Sequence, residues 1–236
     1  MKLLEGEFYK AKKNRQLGFI VLFFILYILT TPYLNANPEY FNGVGVSLML
    51  DAVAGDHAMF LIFSGLIMSA VFTCEYQHKT LKNYLTRFSK KEFFLTKVFF
   101  IVLCAFILVV VLALVGFVYA CIYSGGTPTT DDILFYFYRN FGQFCMAMFH
   151  LGLLLLIGVI SRNSIVVNIA TLALTLVYAL VPIPFNSELT PIYKAFELSY
   201  SWGAVPDRFL CLFFIITFIV LAFLSGLIFE RQEVRT

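Results

Sequence analysis

Apolar runs, each long enough to cross about 30 Å of hydrocarbon as a helix, recur six times along the chain, separated by shorter polar stretches. They lie near Leu17–Leu34, Ala58–Cys74, Val98–Tyr123, Phe141–Ile160, Ser164–Ile183 and Phe209–Phe229. A run in lipid must satisfy its own backbone hydrogen bonds, so each is expected as a helix. The pattern predicts an all-α membrane protein with six transmembrane helices in one domain over residues 1–236. Before the first run, Leu4, Phe8 and Ala11 share one helical stripe, while Lys2, Glu5, Lys12 and Arg15 fall elsewhere. Residues 1–16 therefore read as a short helix in the membrane interface, its lysines near anionic headgroups. The plainer reading is a solvated basic leader that only sets topology. A charged stretch ahead of the first run, with no small-residue cleavage pattern after it, argues against a cleavable signal peptide.

The segment from Glu75 to Lys97 breaks the apolar rhythm without losing order. Leu81, Tyr84, Leu85 and Phe88 recur at the spacing of an amphipathic helix, with Lys82, Asn83 and Arg87 largely outside that stripe. Ser89 then offers an N-cap, and Glu92 stands three residues later, as a capping box requires. The second helix is expected to run through Phe93, Phe94 and Lys97 into the third span. Such a helix–break–helix surface suits a soluble partner; a basic loop that only sets topology is the alternative.

Composition agrees with the pattern. The chain is 61% hydrophobic and 13% charged, with mean hydropathy +0.87, against about a quarter charged in soluble domains. Fourteen Lys and Arg lie in the segments on one side of the six runs, and only Arg139, Lys194 and Arg208 on the other. The positive-inside rule makes the first side cytoplasmic, with both ends inside. The opposite segments carry Glu39, Asp51, Asp56, Asp131, Asp132, Glu188, Glu197 and Asp207. The net charge of +3 does not point to nucleic acid, because the charges flank membrane runs.

Catalytic signatures are missing. There is no H-E-x-x-H, no G-x-S-x-G and no paired carboxylate within a run, which disfavours an intramembrane protease. No G-x-x-x-x-G-K-[ST] occurs either, so nucleotide binding of the P-loop kind is not expected here. His150 lies mid-run, as a functional candidate or as a neutral histidine bonded to another helix. Gln143 and Asn168 read as interhelical hydrogen-bond partners, and Gly65 with Ser69 as a small-residue packing contact. Asp51 and Asp56 read as a solvated loop rather than a cation site. Cys74, Cys104, Cys121, Cys145 and Cys211 show no C-x-x-C spacing and read as apolar packing residues.

The run from Glu75 to Lys97 resembles the loop after the second span of ABC-2 type permeases, the membrane subunits of ATP-binding-cassette exporters. Glu75, Thr80, Leu81, Lys82, Leu85, Ser89, Lys90 and Lys97 fit that family's pattern. Lys79 stands where the family usually has Gly, and Arg87 where Pro is common. Six spans, an N-terminal interfacial helix and the short fourth-to-fifth connection, Ser161–Asn163, resemble the same type V exporter-like architecture. So does the segment 184–208, which the resemblance casts as an external re-entrant gate with Ile192, Phe196 and Trp202 as anchors and Pro182, Pro184, Pro191 and Pro206 as breakers.

The resemblance implies a mechanism. A separate ATPase dimer, which binds ATP and Mg, docks under the cytoplasmic face of a bacterial membrane. It engages residues 75–97 as a coupling loop through Glu75, Thr80, Leu81, Lys82, Leu85, Arg87 and Lys90. A second permease subunit, identical or paralogous, completes the path, and this chain holds no cofactor. With 28 Phe and 13 Tyr, the spans suit amphipathic or hydrophobic cargo, a peptide foremost, as in permeases for peptide-antibiotic immunity. Two alternatives remain open: a secondary transporter, which would show charged or broken helices at midplane, and an ATPase-coupled sensor or scaffold that moves no cargo.

Overall fold

The computed structural model describes residues 2–35, 45–46, 49–50, 57–77, 86, 88–124, 126–180 and 208–232. Among them every regular element is helical. Helix α1 (Lys2–Lys13) meets α2 (Arg15–Asn35) at Asn14, where the axis turns by 72°. The Asn14 side chain makes this corner: its Oδ1 accepts from the backbone N–H of Gln16 at 3.0 Å and of Leu17 at 3.4 Å, satisfying two donors that a helix start leaves open.

The second apolar run is a helix in three parts: α3 (His57–Met68), a π-helical turn (Ser69–Thr73) and α4 (Cys74–Gln77). The wide turn is closed by Cys74 N–H on Ser69 O, and all five of its side chains are buried. Nothing in the hydropathy of this run announces the change of register.

Helix α5 (Lys90–Tyr123) starts as the sequence predicts. Ser89 Oγ accepts from Glu92 N–H at 3.2 Å, and the Glu92 carboxylate accepts from Ser89 N–H at 3.1 Å. Its 34 residues span about 51 Å at 1.5 Å per residue. Helix α6 (Thr130–Ser161) is the main departure: it begins eleven positions before the expected Phe141, at a second capping box formed by Thr129 and Asp132. Asp131 and Asp132 thus occupy a helical first turn, where the helix dipole favours carboxylates. The added turns pack on α5, with Tyr136 Oη donating to Ala113 O at 2.8 Å.

Arg162, in the left-handed conformation at φ 53°, ends α6, and Asn163 Oδ1 accepts from Ile165 N–H at 2.9 Å to start α7 (Ser164–Leu180). The fourth-to-fifth connection is as short as expected. Helix α8 (Arg208–Arg231) is the last element described.

Among the described residues, four helical stretches are long and apolar enough to cross a membrane: Met59–Tyr76, Lys90–Tyr123, Thr130–Ser161 and Cys211–Arg231. The pair α1–α2, bent by 72°, passes the same test only when its two helices are taken together, and α7 is apolar but shorter. The chain is a multi-pass membrane protein.

The bundle is organised around α6, which packs against α3, α5 and α7 and most extensively against α8. Small residues permit the tight crossings. A Cβ on Gly152 would stand 3.3 Å from the Phe218 backbone of α8, and one on Gly65 would overlap Thr171 of α7 and touch Leu154 of α6. Ser69 Oγ donates to Ser164 O at 3.3 Å, so Gly65 and Ser69 act as the packing pair the sequence suggests. Wide apolar surface faces outward on α2, α5, α7 and α8, the inverse of a soluble bundle. None of the five cysteines forms a disulfide.

Candidate functional site at the end that gathers both termini

The N-terminal helix, the end of α4, the start of α5 and the end of α8 converge at one end of the bundle. Four charged side chains meet there. Lys97, the eighth residue of α5, lies deep in the fold and is 2% exposed. Its Nζ donates to Glu7 Oε2 at 2.6 Å, Glu75 Oε1 at 2.8 Å and Val71 O at 2.9 Å. An ammonium has three N–H groups, and three acceptors surround this one. Lys10 closes the network from α1, reaching Glu7 Oε1 at 2.8 Å and Glu75 Oε1 at 2.7 Å.

Each member is placed by its own element. Glu7 and Lys10 stand one helical turn apart on α1, and Glu75 lies just past the π turn. That turn contains Val71, whose carbonyl takes the third bond of Lys97. The ring of Phe93, one turn before Lys97, lies 5.5 Å from Nζ. Burying isolated charges costs several kcal/mol each, about 3–5 kcal/mol when one partner of a buried pair is lost. The two carboxylates and two ammoniums offset that cost only because they are all present. The cluster therefore fixes α1 to both helices that bound the 78–89 segment.

The other root of that segment is tied to the C-terminal end. Lys90 Nζ donates to Glu230 O at 3.0 Å and Gln232 O at 2.7 Å. These are carbonyls at a helix C-terminus, where a cation is favoured. Gln232 Nε2 in turn donates to Val159 O of α6 at 2.8 Å. Between the two ties, Phe229 packs against Phe72, Tyr76, Phe93 and Phe94, with ring centroids 5.6 to 6.3 Å apart. Gln77 and Lys90 thus leave from one shared aromatic floor.

Of the residues singled out in the sequence, Glu75 and Lys97 lie in the charged cluster and Lys90 in the second tie. Thr80, Leu81, Lys82, Leu85 and Arg87 lie outside the described residues, as do Ile192, Phe196 and Trp202. His150 is fully buried on α6, away from the charged cluster in sequence and on another element. Sequence reasoning missed Glu7 and Lys10. The available signal was Glu7, which falls on the same stripe as Leu4 and Ala11, where a charge is out of place unless something buried receives it.

A family model described as ABC-2 family transporter protein matches residues 3–182. The chain belongs to the ABC-2 transporter family. Among curated proteins no relative matches it. The matched region runs from α1 through α7 and contains all four members of the charged cluster. ABC-2 proteins are membrane transport components rather than catalysts, and they normally work with an ATPase partner. The chain is accordingly a permease component of an ABC transporter, and its charged cluster joins the helices on either side of residues 78–89 to the N-terminal helix.

Proposed function

We propose that this ABC-2 protein is the membrane subunit of an exporter, crossing a bacterial cytoplasmic membrane six times with both termini in the cytoplasm. A separate ATPase dimer, holding ATP and Mg, docks on residues 75–97. A second permease subunit, a copy or a paralogue, completes the transport path. Residues 184–208 form the external gate through Ile192, Phe196 and Trp202, in a type V arrangement. The cargo is amphipathic or hydrophobic, a peptide of the peptide-antibiotic class foremost, in keeping with the aromatic content of the spans.

The observation that carries the reading is the anchoring of Glu75. A segment that receives force must be stiffly joined to the helices it moves. Glu75 is bonded to α5 through Lys97 and to α1 through Lys10, so a push on the segment reaches α1, α3 and α5 together. Lys90 delivers the same push to α8. Thr80, Leu81, Lys82, Leu85 and Arg87 supply the docking face, with Leu81 and Leu85 as its apolar centre.

The test is copurification. Leu81→Asp with Leu85→Asp should abolish recovery of the ATPase while membrane insertion stays intact. Recovery at the wild-type level from that double variant would defeat the docking role.

A further inference from the structure

The corner between α1 and α2 encloses more than the ion cluster. A cavity of about 300 Å³ opens there, at the lower end of the range for small-ligand sites. One wall is apolar: Leu17, Ala70, Val71 and Phe100. The polar part is formed by the ion cluster with Asn14 beside it. Lys10 is the member of the cluster that reaches the surface, with 28% of its side chain exposed, against 9% or less for Glu7, Glu75 and Lys97. The Asn14 oxygen is occupied by the backbone of α2, which leaves its Nδ2 as the donor beside the cavity.

The ligand class follows from three features. The cluster itself is neutral, two carboxylates against two ammoniums, so the charge of the corner is set by its surroundings. Those are basic on balance: Lys12, Lys13 and Arg15 are exposed within five positions of Lys10, against one exposed carboxylate, Glu5. Exposed Phe8 and Tyr9 accompany them on α1, with Lys13 Nζ 4.5 Å from the Tyr9 ring. Aromatic rings and lysines together are the composition of a helix lying among headgroups. A basic cluster on such a helix draws anionic lipid.

We infer that the α1–α2 corner is a specific site for one anionic phospholipid. Its phosphate sits at Lys10 and Asn14, and the first part of an acyl chain runs along Leu17, Ala70, Val71 and Phe100. The inference rests on α1 lying in the membrane interface, not on cargo or on the ATPase. A lipid bound there braces the helix that carries Glu7, and so the base of the coupling segment.

The experiment uses the full chain, purified, stripped of lipid by detergent exchange, and titrated with phosphatidylglycerol or phosphatidylcholine while retained lipid is counted by native mass spectrometry. One phosphatidylglycerol per chain should be retained, and phosphatidylcholine should bind at least about tenfold more weakly, a difference of one decade in Kd. Ala11→Phe, which fills the cavity and keeps every charge, should abolish the retained lipid, and Ala11→Leu serves where Phe aggregates. Equal retention of the two lipids would reduce the site to ordinary boundary lipid. Unchanged retention in a folded Ala11 variant, or glycerol phosphate binding as tightly as the lipid, would also overturn the proposal. The first result removes the cavity and the second the apolar wall, while the docking of an ATPase on residues 75–97 would stand in either case.

Discussion

Glu75 and Lys97 stand 22 positions apart, on either side of a basic segment, and their side chains meet at 2.8 Å inside the protein. This contact closes the segment at its base. Because Lys97 also holds Glu7 of the N-terminal helix at 2.6 Å, three separate parts of the sequence depend on one ammonium group.

Lys97→Met should therefore destabilise the fold by about 3–5 kcal/mol, since two buried carboxylates lose a partner. Glu7→Gln alone should cost less, and the pair should be strongly non-additive, by more than about 1 kcal/mol. Thermal unfolding of the purified single and double variants, compared as a cycle, checks this. Additive losses would mean that Glu7 and Lys97 do not act on one another.

The tie at Lys90 is more local. Lys90→Met removes two bonds to the carbonyls of Glu230 and Gln232, a loss of about 1–3 kcal/mol for hydrogen bonds from a charged donor. The expected signature is faster amide exchange confined to the last turn of α8, with exchange in α1 unchanged. Exchange that rises equally at both places would show the two ties to be one unit.

Gly65 tests the crossing of α3 with α7. Gly65→Ala should cost about 1–3 kcal/mol through overpacking, because its methyl overlaps Thr171 and touches Leu154. Thr171→Ala in the same chain removes the larger obstacle and should recover much of the loss. The melting temperatures of the single and double variants are the measurement. No loss in Gly65→Ala would show that these helices separate easily.

The helices were legible because lipid imposes a strict rule: an apolar run of sufficient length has no structure but helix available to it. Ser89 and Glu92 marked the start of α5 because a capping box is a local device. Thr129 and Asp132 form the same device, although the apolar run itself starts only at Phe141. Of the charged residues between, Asp132 completes the cap, and the turns that follow pack on α5 through Tyr136. The π turn had no local sign, since its register follows from what surrounds it, including Ser69 on Ser164 and Gly158 beside Thr73. Glu7 and Lys10 were missed for the same reason at longer range. The place of Glu7 on the apolar stripe of α1 says that something buried receives its charge, but no periodicity says that this is Lys97, 90 positions later.

If the anchored segment carries force from an ATPase to the helices, the number of cargo molecules moved per ATP hydrolysed depends on that anchor. Glu75→Gln keeps the shape of the side chain and removes the charge that joins the segment to Lys10 and Lys97. In vesicles containing the assembled transporter, matched for amount and homogeneity, that variant should still recruit the ATPase and hydrolyse ATP. Its cargo moved per ATP should fall at least about tenfold, the loss of one decade that about 1.4 kcal/mol of coupling represents. A wild-type ratio of transport to hydrolysis in Glu75→Gln would contradict the account.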